Sequence, residues 1–277
     1  VLAHLRARAI DGVEHVGTAH YSRTVRHEGE VGTIEVAHSP ETQSVLATVR
    51  FPSVRALSTI VARVRRMFDL NADVTTIGAH LRRDPLLAPL VAERPGLRVP
   101  GSWDGFEAAV RAVLGQQVSL RAARALGARL VSLCETRAPA VAEHTDKPGR
   151  VFPSAEEVAS ADLSTLPMPD ARKRALLEMA RAARADPFLF EAAHELEATV
   201  AKLVAIPGIG PWTAQTIALR SAGEPDAFPD GDAGLLRALM VATGASLSGS
   251  RLRARAERWR PWRGYAAQHL WSAETHS

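Results

Sequence analysis

The chain has 277 residues, of which 46% are hydrophobic and 23% charged, with a formal net charge of +4 and a pI near 9.8. That balance excludes a disordered chain, and no uncharged apolar run approaches the ~18 residues that a membrane-spanning helix needs, so no membrane partner is expected. The single cysteine, Cys134, excludes a disulfide scaffold, a four-cysteine zinc site and a four-cysteine iron–sulfur cluster within the chain. Basic residues comprise 31 Arg and only three Lys. A high pI permits a nucleic-acid partner, although a base composition that favours Arg over Lys raises it equally well. The ten His show no HExxH or comparable metal-ligand spacing. The first residue is Val1 rather than Met, with no signal-peptide pattern, so a cytoplasmic protein is expected, the chain being either trimmed at its start or a piece of a longer polypeptide.

In chain order, a short first helix precedes a β-rich segment that ends at residue 51. Val13–Arg26 and Val31–Ser39 are rich in β-branched residues, and Ser44–Phe51 alternates, with Val45, Ala47, Val49 and Phe51 on one face. An antiparallel meander is expected. From Pro52 the period lengthens. Ser53 can cap a helix with Val54, Leu57, Ile60, Val61, Val64, Met67 and Phe68 at helical spacing. Further helices are expected from Ser102, from Ser119, and near 155–160, 170–184, 196–204, 212–222, 231–242, 251–258 and 262–274, with a polar loop over 136–150. The fold class is α+β: a small antiparallel sheet domain at 1–74, followed by an all-helical domain at 75–277.

The sharpest segment is Ile206-Pro207-Gly208-Ile209-Gly210-Pro211-Trp212-Thr213. An apolar helix ends, two glycines flank an isoleucine, and a new helix begins with Pro211 at its first position. Gly208 and Gly210 allow positive φ and close backbone approach. Amides at the start of the second helix then face outward at its positive dipole end, which suits a phosphate and needs no basic side chain. Twenty-two residues past Gly210 comes Asp232, at the end of a Gly/Pro-rich loop that opens another helix. Asp230 and Asp232 are both also plausible helix N-caps, the ordinary role of Asp in such a place.

The Pro-Gly-Ile-Gly hairpin followed by this loop resembles the helix-hairpin-helix DNA glycosylase superfamily. Further marks are Arg94–Gly101, Phe106-Glu107, Ala112–Ser119 (AVLGQQVS), Glu257–Ala266 (ERWRPWRGYA) and His269-Leu270-Trp271. Together they make the chain similar, along nearly its whole length, to the bacterial type II 3-methyladenine DNA glycosylases of alkylation repair. That resemblance implies a TATA-binding-protein-like sheet domain, and two helical lobes with the active site between them. It also implies a monofunctional enzyme that flips alkylated bases out of double-stranded DNA and hydrolyses their glycosidic bonds.

Carried over residue by residue, Asp232 is the catalytic carboxylate, with Asp230 the alternative. Gln117 is the side chain that fills the gap left by the flipped base, where the best-known relative carries leucine. Trp212 and Trp271 line the base pocket. Thr216 and Ala233 stand where that relative has tyrosines, and His4 where it has phenylalanine, so a roomier and less aromatic pocket is expected. Gly208, Gly210 and Thr213 contact DNA through their amides, and the carbonyls of Val204 and Ile206 hold a structural cation. Trp212 occupies the position at which bifunctional members carry a lysine, and an indole cannot form a Schiff base, so no lyase activity is expected. Of the six Arg between 251 and 263, about a third are expected to reach phosphates. No catalytic cofactor, a monomeric state, a nucleoid association and fusion behind an alkylation-response regulator complete the expectations. Two other readings stay open: a non-catalytic sensor of alkylated DNA, and a glycosylase for oxidised or deaminated bases.

Overall fold

The computed structural model describes residues 1–42, 44–134, 148–193, 195–243 and 248–274; the expected loop over 136–150 lies largely outside them. Helix α1 (Leu2–Arg8) precedes four strands, β1 (Glu14–Val16), β2 (His20–His27), β3 (Glu30–Ser39) and β4 (Ser44–Arg50). They pair antiparallel in the order β1-β2-β3-β4. This is the expected meander, except that the segment expected over 13–26 divides into β1 and β2, closed by the Gly17 N–H on the His20 carbonyl. On β2 and β3, Tyr21, Val25, Ile34 and Val36 are buried, as period-two alternation requires. β4 departs from the reading. Val45 and Val49 are only half-buried and Ala47 is exposed, because the edge strand is covered from one side only.

Helix α2 (Leu57–Met67) follows a 3₁₀ turn at Val54–Ala56. Ser53 makes no capping hydrogen bond, contrary to expectation, and of the apolar stripe Ile60, Val64, Met67 and Phe68 are buried while Val54 is 84% exposed. Helices α3 (Val74–Leu81), α4 (Ala88–Glu93), α5 (Gly105–Leu114), α6 (Leu120–Leu133), α7 (Ala155–Ser160) and α8 (Asp170–Ala185) come next. They lead to α9 (Leu196–Val204), α10 (Pro211–Ile217), α11 (Ala233–Thr243), α12 (Gly249–Ala256) and α13 (Arg263–Glu274). α5 begins at Gly105 rather than at Ser102, whose amide is tied to the Arg220 carbonyl at 2.9 Å. Ser119 caps α6 as expected, accepting from the Ala122 amide at 3.2 Å.

Two compact units divide the described chain: 1–64, 106–187 and 206–208 form the first, and 65–105, 188–205 and 209–277 the second. The sheet thus shares a unit with α5–α8, and the cut differs from the expected boundary at 74/75. In the first unit a charged network is sealed inside. Arg23 forks onto Glu107, with Nη1 on Oε1 at 3.1 Å and Nη2 on Oε2 at 2.6 Å. Arg111 donates to Glu107 at 2.9 Å and to Glu14 at 2.5 Å, and the Tyr21 hydroxyl donates to Glu14 at 2.7 Å. Arg23 and Glu107 are each 1% exposed. Burial alone would push the Glu107 carboxyl up, but the two guanidinium charges reverse this and hold it well below the usual carboxylate range. The network explains why Glu107 and Arg111 stand among the apolar residues of α5.

The second unit has its own core, in which Phe228, Leu235, Leu239, Leu252, Trp259 and Leu270 join α11, α12 and α13. Asp84 anchors the C-terminal segment, accepting from Arg255 at 2.6 Å and from the Trp259 indole at 2.8 Å. Burial lowers the His269 imidazole from the usual 6.5 to about 4, which makes it a neutral core residue at physiological pH. No helix among the described residues is long and apolar enough to cross a membrane.

Candidate active site

The site is built at the start of α11, where the chain leaves the Gly/Pro-rich loop. The Asp232 amide closes a turn on the Pro229 carbonyl at 2.9 Å. Its carboxylate Oδ1 accepts the Leu235 amide at 3.0 Å, so Asp232 is the helix N-cap that the sequence also allowed. It is more than a cap. The Trp271 indole Nε1 on α13 donates to Oδ1 at 2.8 Å, and the Trp212 indole Nε1 on α10 donates to Oδ2 at 3.1 Å. Two tryptophans far apart in sequence therefore converge on one half-buried carboxylate. A carboxylate offers about four acceptor directions; here Oδ1 has filled both of its own, whereas Oδ2 keeps one beyond the indole it already holds.

Asp230, the alternative, is differently employed: it pairs with Arg253 at the surface. The geometry thus separates two carboxylates that the sequence left in competition. Thr216, one turn along α10, gives its hydroxyl to the Trp212 carbonyl at 2.9 Å, which leaves a small side chain without a free donor beside the indole. Ala233, the first residue of α11, is exposed. His4 lies on α1 in the first unit, whereas Trp212, Thr216, Asp232, Ala233 and Trp271 belong to the second.

Arg220 was not foreseen. The helix that begins at Pro211 widens into a π turn at Ala218–Ala222, and Arg220 within it lies over Trp271, its Cζ 5.3 Å from the ring centroid. Its guanidinium is anchored on the Pro100 carbonyl at 2.8 Å and on Gln268 at 3.0 Å. A cation over an indole face is attractive, so Arg220 holds the ring whose N–H holds Asp232. An Arg on an apolar helix gives no sequence sign of such a contact.

The hairpin is as expected in outline. α9 ends at Val204, and Ile206 and Ile209 are buried. Gly208 has φ +87°, and a Cβ there would sit 2.5 Å from the Ala175 Cβ, so both conformation and space demand glycine. Gly210 does not use the conformational freedom that glycine allows: its φ of −86° is ordinary, and a Cβ would meet nothing within 4 Å of it. As the N-cap of α10 it is extended, so no left-handed backbone is needed at that position. Thr213, in the first turn of α10, is 3% exposed.

Gln117 is exposed at the tip of the α5–α6 connection, with a left-handed φ of +55°. That conformation is uncommon for a residue with a Cβ and costs energy unless its surroundings hold it. The Arg run of the C-terminal segment is largely spent internally. Arg253 pairs with Asp230, Arg255 with Asp84, Arg260 with Glu257 and Asp226, and Arg263 with Asp226 and Glu257. The acidic partners lie 23 or more residues away in several cases, which is why the sequence showed only Glu257 against six Arg. Among the described residues no group of three or more His, Cys, Asp or Glu side chains is placed to hold a metal ion.

Residues 1–104 match the family described as the AlkA N-terminal domain. A Mycobacterium tuberculosis protein named "Probable bifunctional transcriptional activator/DNA repair enzyme AlkA" is 37% identical over 276 residues, covering 100% of this chain and 54% of its own. The chain therefore spans about half the length of that relative. Escherichia coli DNA-3-methyladenine glycosylase 2 is 32% identical, with 99% of this chain and 93% of the relative covered. Among solved structures, a 3-methyladenine DNA glycosylase from Archaeoglobus fulgidus superimposes with a TM-score of 0.82 at 20% identity, over 97% of this chain and 91% of that one, so the two share a fold. With its fold, hairpin and carboxylate now placed, the chain belongs to the DNA-3-methyladenine glycosylase family.

Proposed function

We propose that the chain excises alkylated purines of the 3-methyladenine and 7-methylguanine type from duplex DNA by hydrolysis. The observation that carries this reading is the Asp232 carboxylate gripped by two indole N–H groups. The target base leaves the stack and enters the site. An N3- or N7-alkylated purine is already cationic, so it departs with the electron pair of the C1′–N bond as a neutral base and needs no general acid. Positive charge grows on the deoxyribose as that bond breaks, and a fixed carboxylate stabilises it. Water then adds to C1′ and releases a proton. The remaining acceptor direction of Oδ2 suits either the sugar or that water. The indole faces attract a cationic base, and Thr216 and Ala233 leave room around it.

DNA is held at the hairpin in this reading. The N-terminus of α10 is the positive end of its dipole, where a phosphate is favoured. A Gly210 whose Cβ would clash with nothing in the protein lets a phosphate come close to the backbone. The carbonyls of Val204 and Ile206, at the negative end of α9, form an oxygen donor set suited to a hard cation that would tie the hairpin together. A pure damage sensor has no need of a carboxylate so fixed, which favours the catalytic reading.

Trp271→Phe keeps an aromatic ring but removes one donor to the carboxylate. A hydrogen bond to a charged group contributes about 1.5–3 kcal/mol, so excision is expected to fall roughly 10- to 100-fold, measured as single-turnover release of 7-methylguanine. Gln117→Ala is expected to weaken binding to a duplex with an abasic-site analogue about tenfold while changing stability by less than about 1 kcal/mol; unchanged affinity would remove Gln117 from the gap-filling role. The overall reading is tested with methylated duplex DNA. Free methylated purines should appear without strand breaks, and borohydride should trap no covalent complex, since Trp212 replaces the amine that a lyase uses. A trapped complex would overturn the hydrolytic reading.

A further inference from the structure

Helix α8 enters the first unit with Arg172 in its first turn, and no role assigned so far accounts for the place of this side chain. Its guanidinium Nη1 donates to the Gln116 carbonyl at 2.8 Å. That carbonyl belongs to the peptide group whose nitrogen is that of Gln117, the exposed residue at φ +55°. One helical turn further along α8, Ala175 is the residue that Gly208 of the hairpin turn approaches so closely that a Cβ would stand 2.5 Å away. Thus one short face of α8 touches both the 115–118 connection and the hairpin turn at 206–208, and all three segments lie in one compact unit.

A left-handed residue relaxes unless its surroundings over-determine it. The Gln116 amide is fixed on the Val113 carbonyl at 3.2 Å, and Arg172 fixes the carbonyl on the other side of the same residue. Together they leave the following peptide plane little freedom. A charged donor on a carbonyl is among the stronger hydrogen bonds, and the half-buried guanidinium shields it from water. We infer that Arg172 is a positioning residue for base extrusion: it locks Gln117 in its left-handed, outward conformation, and α8 carries that lock and the hairpin turn on one rigid element. The inference rests on the reading of the chain as a base-flipping glycosylase.

The experiment compares affinity for a duplex containing a tetrahydrofuran abasic analogue with affinity for the same duplex undamaged. It uses Arg172→Ala, Arg172→Lys, Gln117→Ala and the Arg172→Ala/Gln117→Ala double variant. Arg172→Ala is expected to lose about as much abasic-site affinity as Gln117→Ala, roughly tenfold, with undamaged duplex bound within about twofold of wild type. The double variant is expected to be no weaker than either single one, since both remove the same contact. Arg172→Lys, which keeps a charged donor, is expected to recover part of the loss. A crystal structure of Arg172→Ala should show Gln117 out of the left-handed region.

Three results would overturn the inference. Additive losses in the double variant would mean that Arg172 acts independently of Gln117. Equal losses on both duplexes would make Arg172 a plain phosphate contact. A left-handed Gln117 retained in Arg172→Ala would mean that other groups hold it. If the wild type itself shows no preference for the abasic duplex, the base-flipping reading fails instead, and that outcome is visible before any variant is compared.

Discussion

Asp232→Asn should remove excision of methylated purines, by about 10³-fold or more, while binding to abasic-site DNA persists. The substitution preserves size and keeps an N-cap of equal quality for α11, so the helix start is not the casualty. What goes is the negative charge opposite the developing sugar cation. The side-chain amide also has one acceptor oxygen where the carboxylate has two, so one of the two indole donors, Trp212 or Trp271, must face an N–H₂ group. An unsatisfied donor of that kind lowers stability by about 1–3 kcal/mol, which a domain of ordinary stability survives. Thermal unfolding should therefore show a folded protein that has lost turnover. Asp230→Asn is the matched control: it releases Arg253 at the surface, and excision should stay within about twofold of wild type.

Glu107→Ala has the opposite character, a large loss of stability at a residue distant from any chemistry. It strands Arg23, whose forked guanidinium is 1% exposed and directs two nitrogens at Glu107, and takes one partner from Arg111. Removing one member of a buried ion pair leaves an uncompensated charge and lowers stability by about 3–5 kcal/mol, read as a fall in the urea midpoint. Replacing both partners, Arg23→Met with Glu107→Leu, should recover much of that loss, because the desolvated charges go together. The same network predicts acid sensitivity. Glu107 resists protonation in the folded protein far more than an unfolded chain does, so its contribution is complete above the ordinary carboxylate value of 4.5 and fades as the pH falls below it. Arg23→Met/Glu107→Leu should flatten that acid limb.

Much of the fold was legible because its signals are local. The strand meander followed from β-branched alternation, α2 from its apolar spacing, and the hairpin from glycine and proline in a fixed order. The reading weakened where tertiary structure overrode local preference. β4 alternates in sequence, but at the sheet edge Ala47 of its apolar face is exposed and Val45 and Val49 are only half-buried. Ser102 looks like a helix cap, but its amide is held by Arg220. The charged residues were least legible, since a charge carries no mark of its partner: the Arg between 251 and 263 find Asp84, Asp226 and Asp230 far up the chain.

The candidate site divides in the same way. Asp232, Trp212 and Trp271 were each named from pattern and resemblance, but their convergence into one hydrogen-bonded cluster needed three helices, α10, α11 and α13, to be placed in space. Spacing and resemblance already favoured Asp232 over Asp230; the structure adds what each carboxylate holds, two indoles for Asp232 and Arg253 for Asp230. Gly208 and Gly210 look equivalent in sequence, since either allows a positive φ, and the backbone shows that of the two only Gly208 adopts one. Arg220 and Arg172 carried no sequence sign, because their partners are an indole face and a backbone carbonyl.

The central claim is that the carboxylate clamped by Trp212 and Trp271 belongs to a base-excising hydrolase. Its most direct test is chromatographic: wild-type protein and Asp232→Asn are incubated with N-methylated duplex DNA at concentrations that bind the DNA fully, and the released bases are identified. Free 3-methyladenine and 7-methylguanine are expected from the wild type and background from the variant, with both proteins binding an abasic duplex alike. Release by Asp232→Asn at the wild-type rate, or no release by a folded, DNA-binding wild type, would contradict the claim.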